Sequence, residues 1–405
     1  MPGRGEATRV VGLDFVSFYT AGSAVREGRA GDLYKLDAVR RFQAVLEERE
    51  GIAIGKHYAP WWNPPFYALL FVPLAGMSFH LALWVWLIGN VVCGGIACWL
   101  LCRMLPEGAG WKLRGLVPVL MALSMPFMQN MTHGQNSCTS LLILTGVVWF
   151  WRAGRAWPAG MVAGLLFYKP QLAVVVVGMM VLDLGWRAAA GVVVTGAGLL
   201  VVSLVVLPGA MGDFLSVVPD NLHFVQEQSV YPWARHVTFK GFWRVLLQGE
   251  AVGPTRMGVN VLSVLGMGMV GTTLLKAVLT RRGIGLSALR RDRVIAATIA
   301  ATPLLMPFYF DYDLLLLAIP AVLLAREIIV EPQINMADRI LIALFATLYG
   351  WLLINPDVAE QTRVNLAVVL LAGVAGLLIR RVNGQAAASC VSVVRPPVLS
   401  SPIPS

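Results

Sequence analysis

The amino-acid sequence predicts an all-α, polytopic membrane protein, and three observations lead to this prediction. Of the 405 residues, 57% are hydrophobic and 13% are charged, whereas soluble domains carry about 25% charged residues. The mean hydropathy is +0.70. Segments 81–102, 188–208 and 257–280 each supply the roughly 20 apolar residues that one transmembrane helix needs.

Hydropathy divides the chain into eleven predicted spans. The predicted transmembrane bundle covers residues 81–380, with a long loop at 209–256, and it follows a juxtamembrane segment at 1–80. The tail at 381–405 is rich in Pro, Ser and Val, which predicts disorder. The spans are 81–102, 114–132, 137–152, 156–168, 170–185, 188–208, 257–280, 293–309, 312–326, 338–354 and 364–380.

The distribution of basic residues predicts the orientation. With the helix ends counted, one set of connections and the tail carries 17 Lys/Arg and 6 Asp/Glu, whereas the opposite set carries 15 and 16. Because Lys and Arg in short loops stay in the cytoplasm, we expect segments 1–80 and 209–256 on the extracytoplasmic side of the cell's inner (plasma) membrane. Topology explains the net charge of +10, and no nucleic-acid partner is predicted.

Residues 1–80 have the pattern of a folded extracytoplasmic segment. "DAVRRFQAVLEERE" places Val39, Phe42 and Leu46 on one side of a predicted amphipathic helix. The prolines in "HYAPWWNPPFY" prevent a helix from starting before Phe66. The following apolar run, 66–77, is too short to span a membrane easily. We therefore predict a juxtamembrane or re-entrant helix there.

Polar side chains interrupt the apolar spans at three predicted tips on the side that carries Asp14. Ionisable residues at membrane depth are costly and usually line a pathway or cavity, so their coincidence on one side favours a shared site. The residues are His133, Gln135 and Asn136 in "THGQNS", Lys169 in "LLFYKPQLAV", and Asp311 and Asp313 in "MPFYFDYDLLLL".

Each of these residues also has a structural interpretation, and the sequence leaves both open. Lys169 can extend its ammonium group to the membrane interface. His133 and its neighbours can cap a turn, and Asp313 can cap the helix that follows it. Asp14 lies inside "LDFVSFYTAG" with no partner nearby in the sequence, which makes a structural role least expected there.

Six motifs, taken in order, resemble those of a known family. They are "LDFVSFYTAG", "LYKLDA", "PPFYALLFVPLA", "THGQNS", "FYKPQLAVVVV" and "FDYDLLLLAIP". Together they resemble the motif series of glycosyltransferase family 87, over residues 12–380. This family consists of GT-C-type membrane glycosyltransferases. It includes a mannosyltransferase that uses polyprenyl-phosphate mannose to extend phosphatidylinositol mannosides.

The resemblance implies a GT-C fold with an extracytoplasmic active site, so the fold that we predict is a GT-C-type bundle of the about 11 transmembrane helices that hydropathy indicates. It implies transfer of a hexose, mannose in the known member, from a polyprenyl-phosphate sugar to a glycolipid or glycan acceptor, with inversion. An acid in the first extracytoplasmic loop is the general base of such enzymes, and the matching residue is Asp14. Besides this lipid-linked donor, the acceptor and membrane lipids, no cofactor or metal ion is predicted.

The leaving phosphate suggests roles for the other candidates. Its growing negative charge needs cations or hydrogen-bond donors, and Lys169 is the first candidate. Arg235 and His236 in "YPWARHVTFKGFW" are weaker ones. Amide, carboxylate and imidazole groups suit sugar hydroxyls, and an aromatic ring suits a sugar face. The predicted substrate-binding residues are Lys169, His133, Gln135, Asn136, Asp311, Asp313, Tyr19, Arg235 and His236.

Two features differ from the family pattern. GT-C enzymes have a transmembrane helix before the first catalytic loop, and we expect that helix upstream of Met1, which gives twelve spans. Some members have a histidine before "YDL", where this chain has Phe308 and Tyr309. Two other classes stay open: a transporter or lipid flippase, which also uses broken helices, and a non-catalytic homologue.

Overall fold

A computed structural model describes residues 11–52, 54, 58–229, 231–279 and 288–384. These residues form α-helices joined by short 3₁₀ turns, with no β-strand in the described ranges, which confirms the all-α class. The helices are α1 (Leu13–Arg26), α2 (Leu36–Glu50), α3 (Pro65–Ala68), α4 (Phe79–Met104), α5 (Trp111–Ala122), α6 (Met125–His133), α7 (Ser137–Arg152), α8 (Ala156–Gly164), α9 (Pro170–Leu184), α10 (Trp186–Val206), α11 (Ala210–Gln228), α12 (Phe239–Gln248), α13 (Met257–Leu279), α14 (Ala288–Leu305), α15 (Ala318–Val330), α16 (Met336–Trp351), α17 (Asn355–Thr362) and α18 (Leu366–Gly384).

Helices α4, α10 and α13 are long and apolar enough to cross a membrane. They coincide with the three segments that the sequence singled out first. A fourth candidate span is the pair α16 and α17, which is bent by 82°. The membrane class is therefore confirmed, and the total of eleven crossings stays a prediction.

Several other predicted spans are shorter or interrupted helices, and serine or proline marks the breaks. Span 114–132 divides into α5 and α6 at Ser124, whose side chain accepts a hydrogen bond from the Phe127 amide. Helix α8 ends in a 3₁₀ turn, Leu165–Tyr168, and α9 begins at Pro170. Proline suits the first turn of a helix because no intrahelical partner exists there for its missing N–H.

The centre of the bundle is α14, which is buried at every residue from Asp292 to Leu304. The largest apolar core forms around it from α7, α8, α9, α15 and α18. Helices α8 and α10 touch through their backbones, because a Cβ on Gly160 would lie 2.0 Å from the Ala188 carbonyl oxygen. Such small-residue contacts are typical of membrane helix pairs. Helix α5 buries no residue and lies at the periphery.

The first 80 residues contribute a second core built around α1. Helix α1 is buried from Phe15 to Ala24 and packs on the segment that precedes α4. A Cβ on Gly22 would lie 2.5 Å from the Phe71 carbonyl oxygen, so this approach requires glycine. The predicted amphipathic helix is confirmed as α2, with Val39 and Leu46 buried.

Two predictions for connecting segments differ in detail from the structure. The single helix expected at 66–77 is instead α3 followed by two 3₁₀ turns, Leu69–Phe71 and Leu74–Gly76. Pro73, which has no N–H to donate, lies between those two turns. At the C-terminus, α18 continues to Gly384, and the rest of the predicted disordered tail lies outside the described residues.

The long loop at 209–256 folds over the end of the bundle that carries the polar tips. It contains α11, a 3₁₀ turn at Trp233–Arg235, and α12. After the turn, the Val237 amide donates to the Tyr309 carbonyl at 2.9 Å, and His236 forms an antiparallel bridge with Phe310. This pairing brings the turn against the segment that holds Asp311 and Asp313.

Candidate active site

The first element of the site is Asp14, in the first turn of α1. The amide of Gly12, which has φ of +86°, donates to the Thr132 carbonyl at 2.8 Å. Gly134, in the loop between α6 and α7, lies close to α1, because a Cβ on it would lie 2.7 Å from the Phe15 side chain. The two glycines therefore allow the start of α1 to rest on the loop between α6 and α7.

This contact places the Asp14 carboxylate beside Gln135. The Gln135 Nε2 atom donates a hydrogen bond of 2.9 Å to Asp14 Oδ2. Within the described ranges, no hydrogen bond reaches Oδ1, and the Asp14 side chain is half-buried. One oxygen is thus held in place while the other is free to accept a proton.

A second carboxylate, Asp311, holds the Arg235 side chain. Arg235 Nη2 donates to Asp311 Oδ1 at 2.9 Å, and Nε donates to Oδ2 at 3.3 Å. Gln129 Nε2 adds a bond of 2.9 Å to Oδ2, and the Tyr312 amide adds one of 2.9 Å to Oδ1. Asp311 is 3% exposed, so its bonds fix the direction of the guanidinium group.

The imidazole of His133 touches the same guanidinium group. Its Nδ1 atom lies 2.9 Å from the Gln129 carbonyl oxygen, and its Nε2 atom lies 3.1 Å from Arg235 Nη1. A carbonyl oxygen only accepts and an arginine nitrogen only donates. These two contacts are best satisfied when Nδ1 donates to the carbonyl oxygen and Nε2 accepts from Arg235.

Arg235 keeps its positive charge despite its surroundings. Burial alone would lower the pKa of the guanidinium, but the Asp311 carboxylate raises that pKa overall through its charge and hydrogen bonds. The Asp14 carboxylate acts on Arg235 in the same direction. The site therefore contains a carboxylate, Asp14, whose negative charge helps to keep Arg235 protonated.

A third carboxylate, Asp313, is paired with Lys169. Lys169 Nζ lies 2.9 and 3.1 Å from the two carboxylate oxygens, and Ser137 Oγ donates to Oδ1 at 2.7 Å. Lys169 is 8% exposed and Asp313 is 2% exposed. In this structure Lys169 binds a buried carboxylate and does not extend toward the interface. Asp313 binds side chains and does not cap a helix.

Tyr312 connects the two ion pairs. Its ring centroid lies 5.7 Å from the Arg235 guanidinium carbon and 5.1 Å from Lys169 Nζ. Cations at such distances interact favourably with an aromatic ring. The sequence analysis did not identify Tyr312, Gln129 or Ser137. A signal existed for Gln129, which lies four residues before His133 and so shares its helix face.

Three of the predicted substrate-binding residues lie apart from this cluster. The Tyr19 hydroxyl donates to the Met77 carbonyl at 2.7 Å inside the core of the first 80 residues. Asn136 is buried and donates to the Tyr67 hydroxyl at 3.1 Å. His236 is 0% exposed and lies among aromatic rings that include Tyr231, whose centroid is 5.2 Å away.

His236 predicts a pH dependence of stability. Burial, together with the neighbouring Arg235 and Lys240 charges, lowers the pKa of His236 to about 3, whereas an unfolded histidine has a pKa of about 6.5. Between these two pKa values the unfolded chain binds a proton at His236 and the folded chain does not. The contribution of His236 to the free energy of unfolding is therefore fully present above about pH 6.5 and is lost as pH falls toward 3. We expect His236→Phe to reduce the decrease in thermal midpoint between pH 7.5 and pH 5. An identical decrease in both proteins would contradict this account.

The described residues contain no group of three or more His, Cys, Asp or Glu side chains arranged to hold a metal ion. The cations of the site are instead Arg235 and Lys169, each paired with a carboxylate. Metal independence, which was expected from the sequence, stays a prediction.

The fold and the site together define a polytopic membrane protein in which Asp14, Arg235 and Asp311 lie at one end of a helical bundle. More specifically, the chain belongs to glycosyltransferase family 87, whose sequence profile matches residues 61–307. It is thus a membrane glycosyltransferase, acting on a sugar donor and an acceptor. Comparisons with curated proteins and with solved structures gave no significant match. The matched range includes His133, Lys169 and Arg235 and excludes Asp14 and Asp311.

Proposed function

We propose that the protein transfers a hexose, mannose by resemblance, from a polyprenyl-phosphate sugar to a glycolipid or glycan acceptor, with inversion. The observation that carries the proposal is a half-buried Asp14 carboxylate, one oxygen of which no other described residue binds, whose charge raises the pKa of Arg235. An acid and a cation in one site suit a reaction that removes a proton and releases a phosphate. Family membership supports a transferase over a transporter.

In the proposed reaction, Asp14 is the general base. Its free Oδ1 atom accepts the proton of the acceptor hydroxyl while the hydroxyl oxygen bonds to C1 of the donor sugar. The bond from C1 to the phosphate oxygen breaks, and its electron pair stays on the phosphate. Gln135 holds the other carboxylate oxygen and so orients the base.

Arg235 is the residue that we assign to the leaving phosphate, with His133 beside it. The sequence favoured Lys169 for this role, but Lys169 is buried and both oxygens of Asp313 bind it. The Arg235 side chain is 20% exposed and lies in the field of Asp14. Its planar guanidinium group also matches phosphate oxygens better than an ammonium group does.

We place the site on the extracytoplasmic side of the plasma membrane. The opposite ends of the same helices carry ion pairs rich in arginine, such as Arg152 with Asp292 and Arg293 with Glu327, and basic residues mark the cytoplasmic side. A reporter fused after Asn221 should therefore be extracytoplasmic. One fused after Arg282, which lies outside the described residues, should be cytoplasmic. The reverse pair of results would overturn the assignment.

Transfer is tested with the purified protein in liposomes that contain a radiolabelled polyprenyl-phosphate hexose and a lipid acceptor extract. We expect label to move to a new glycolipid while free polyprenyl phosphate accumulates in equal amount. A flippase would move the donor between leaflets and leave it intact. Intact donor with every hexose tested would contradict the proposed function.

A further inference from the structure

The backbone on both sides of Arg235 is held by one side chain from a distant part of the chain. Asn365 lies between α17 and α18 and is 0% exposed. Its Nδ2 atom donates to the carbonyl oxygens of Ala234 and His236, at 3.0 Å each. These two carbonyl groups flank Arg235 in the chain.

A second asparagine fixes the orientation of the Asn365 amide. Asn355 Oδ1 accepts from the Trp351 indole N–H at 2.9 Å and from the Ala367 amide at 3.0 Å. Both partners only donate, so the Asn355 nitrogen must face Asn365, whose Oδ1 accepts from it at 3.1 Å. The Asn365 nitrogen then necessarily faces the two carbonyl groups.

The backbone around Asn355 and Asn365 turns sharply, and these turns bring Asn365 next to the 233–235 turn. Helices α16 and α17 meet at a bend of 82°. The residue that follows α17 is Arg363, which among the described non-glycine residues is the one with a left-handed φ, +62°. The chain then turns into α18, with Asn365 at the corner. A left-handed conformation is uncommon for a non-glycine residue, and here it lies two residues before Asn365.

The Asn365 amide and the Asp311 carboxylate act on Arg235 from different sides. Asn365 fixes the peptide groups that flank Arg235, and Asp311 binds the end of its side chain. Loss of the Asn365 amide would leave two buried carbonyl groups without their donor, which is costly, so these bonds resist movement of the turn. A rigid turn therefore limits the positions that the guanidinium group can reach.

We propose that Asn365, oriented by Asn355, is a positioning residue that directs the Arg235 guanidinium toward the donor phosphate. The catalytic part of this inference rests on the proposed function, since it gives Arg235 its task. The geometric part, control of Arg235 by Asn365, holds independently of the reaction. The two parts are tested separately.

The geometric part is tested by chemical modification. Phenylglyoxal, which reacts with arginine, is added to the protein in detergent, and modification at Arg235 is followed by peptide mass spectrometry. Asn365→Ala should raise the rate at Arg235 several-fold. The matched control is Asn221→Ala, which removes a similar bond of 2.7 Å to the Tyr34 carbonyl, and it should leave that rate unchanged. Equal rates in wild type and Asn365→Ala would overturn the inference.

The catalytic part is tested by a double-mutant cycle on kcat/KM for the donor. A displacement of about 1 Å at a catalytic group can cost about 100-fold in rate, so we expect Asn365→Ala to lower kcat/KM between 10-fold and 100-fold. In the Arg235→Ala background it should cause no further loss, because residues that act through one another are not additive. A loss of equal size in both backgrounds would show a general structural role and overturn the inference.

Two further results keep the tests distinct. If Asn365→Ala does not fold, Asn355→Ala replaces it, because it removes the partner that orients Asn365, and we expect the same changes at smaller size. If the wild-type protein transfers no sugar, the proposed function fails, while the modification rates still decide whether Asn365 controls Arg235.

Discussion

The Asp14→Asn variant is expected to lose at least about 100-fold in transfer rate, the lower end of what a general base contributes. Asparagine has the size of aspartate and can still accept the Gln135 hydrogen bond, which is 2.9 Å in the wild-type protein. It cannot take the proton of the acceptor hydroxyl. The variant should insert, fold and bind the lipid donor as the wild type does. Single-turnover transfer from labelled donor, with donor binding measured in parallel, checks this result.

Asp32→Asn is the matched control for this variant. Asp32 belongs to the same N-terminal segment and pairs with Arg29 and Lys35 at the surface, so its loss should leave the rate unchanged. Asp311→Asn is informative in another way, because it removes the carboxylate that holds Arg235. If Asp14→Asn stays active, our assignment is wrong, and a stably folded but inactive Asp311→Asn would make Asp311 the next candidate for the base.

The second large effect concerns the buried pair of Lys169 and Asp313. We expect Lys169→Met and Asp313→Asn, each alone, to destabilise the protein by about 3–5 kcal/mol, because each leaves a buried charge without its partner. The double variant Lys169→Met/Asp313→Asn should recover most of the loss, since it leaves a neutral pair. Asparagine also keeps an acceptor for Ser137, which donates to Asp313 at 2.7 Å. Denaturant unfolding in mixed micelles gives the three stabilities.

The activity of the double variant then distinguishes the two interpretations of Lys169. A structural pair predicts that the stable double variant transfers sugar at close to the wild-type rate. A stable but inactive double variant would instead place one member of the pair in contact with a substrate, and Lys169 is the member whose charge suits the donor phosphate. Stabilisation of the leaving phosphate would then no longer be assigned to Arg235 alone.

The membrane class, the family and the prediction of Asp14 as a site residue all came from the sequence alone. A low charged fraction and long apolar segments are sufficient to indicate a membrane protein, because the bilayer core imposes length and hydropathy directly on each helix. The ordered motifs led to the family that the profile match then confirmed. Asp14 was predicted as a site residue because it lies in an apolar and aromatic run, where an ionisable side chain is costly and usually has a function.

The pairing of the charges was decided by the tertiary structure. Lys169 lies 144 residues from Asp313, and Arg235 lies 76 residues from Asp311. A lysine beside a proline-broken helix looks the same in sequence whether it extends to the interface or binds a buried acid. Helix packing settles which, because it determines the exposed fraction and the nearest carboxylate.

The same reason explains the residues that sequence reasoning misplaced or missed. Tyr19 is of the right type to stack on a sugar, yet α1 directs it into an aromatic core. Asn365 lies in an unremarkable stretch of sequence, and its role depends on carbonyl groups 129 and 131 residues away. The sequence determined the class of the protein and its three longest apolar helices, because these depend on local composition. Which side chains meet around Arg235 depends on how the helices pack, and only the tertiary structure decided it.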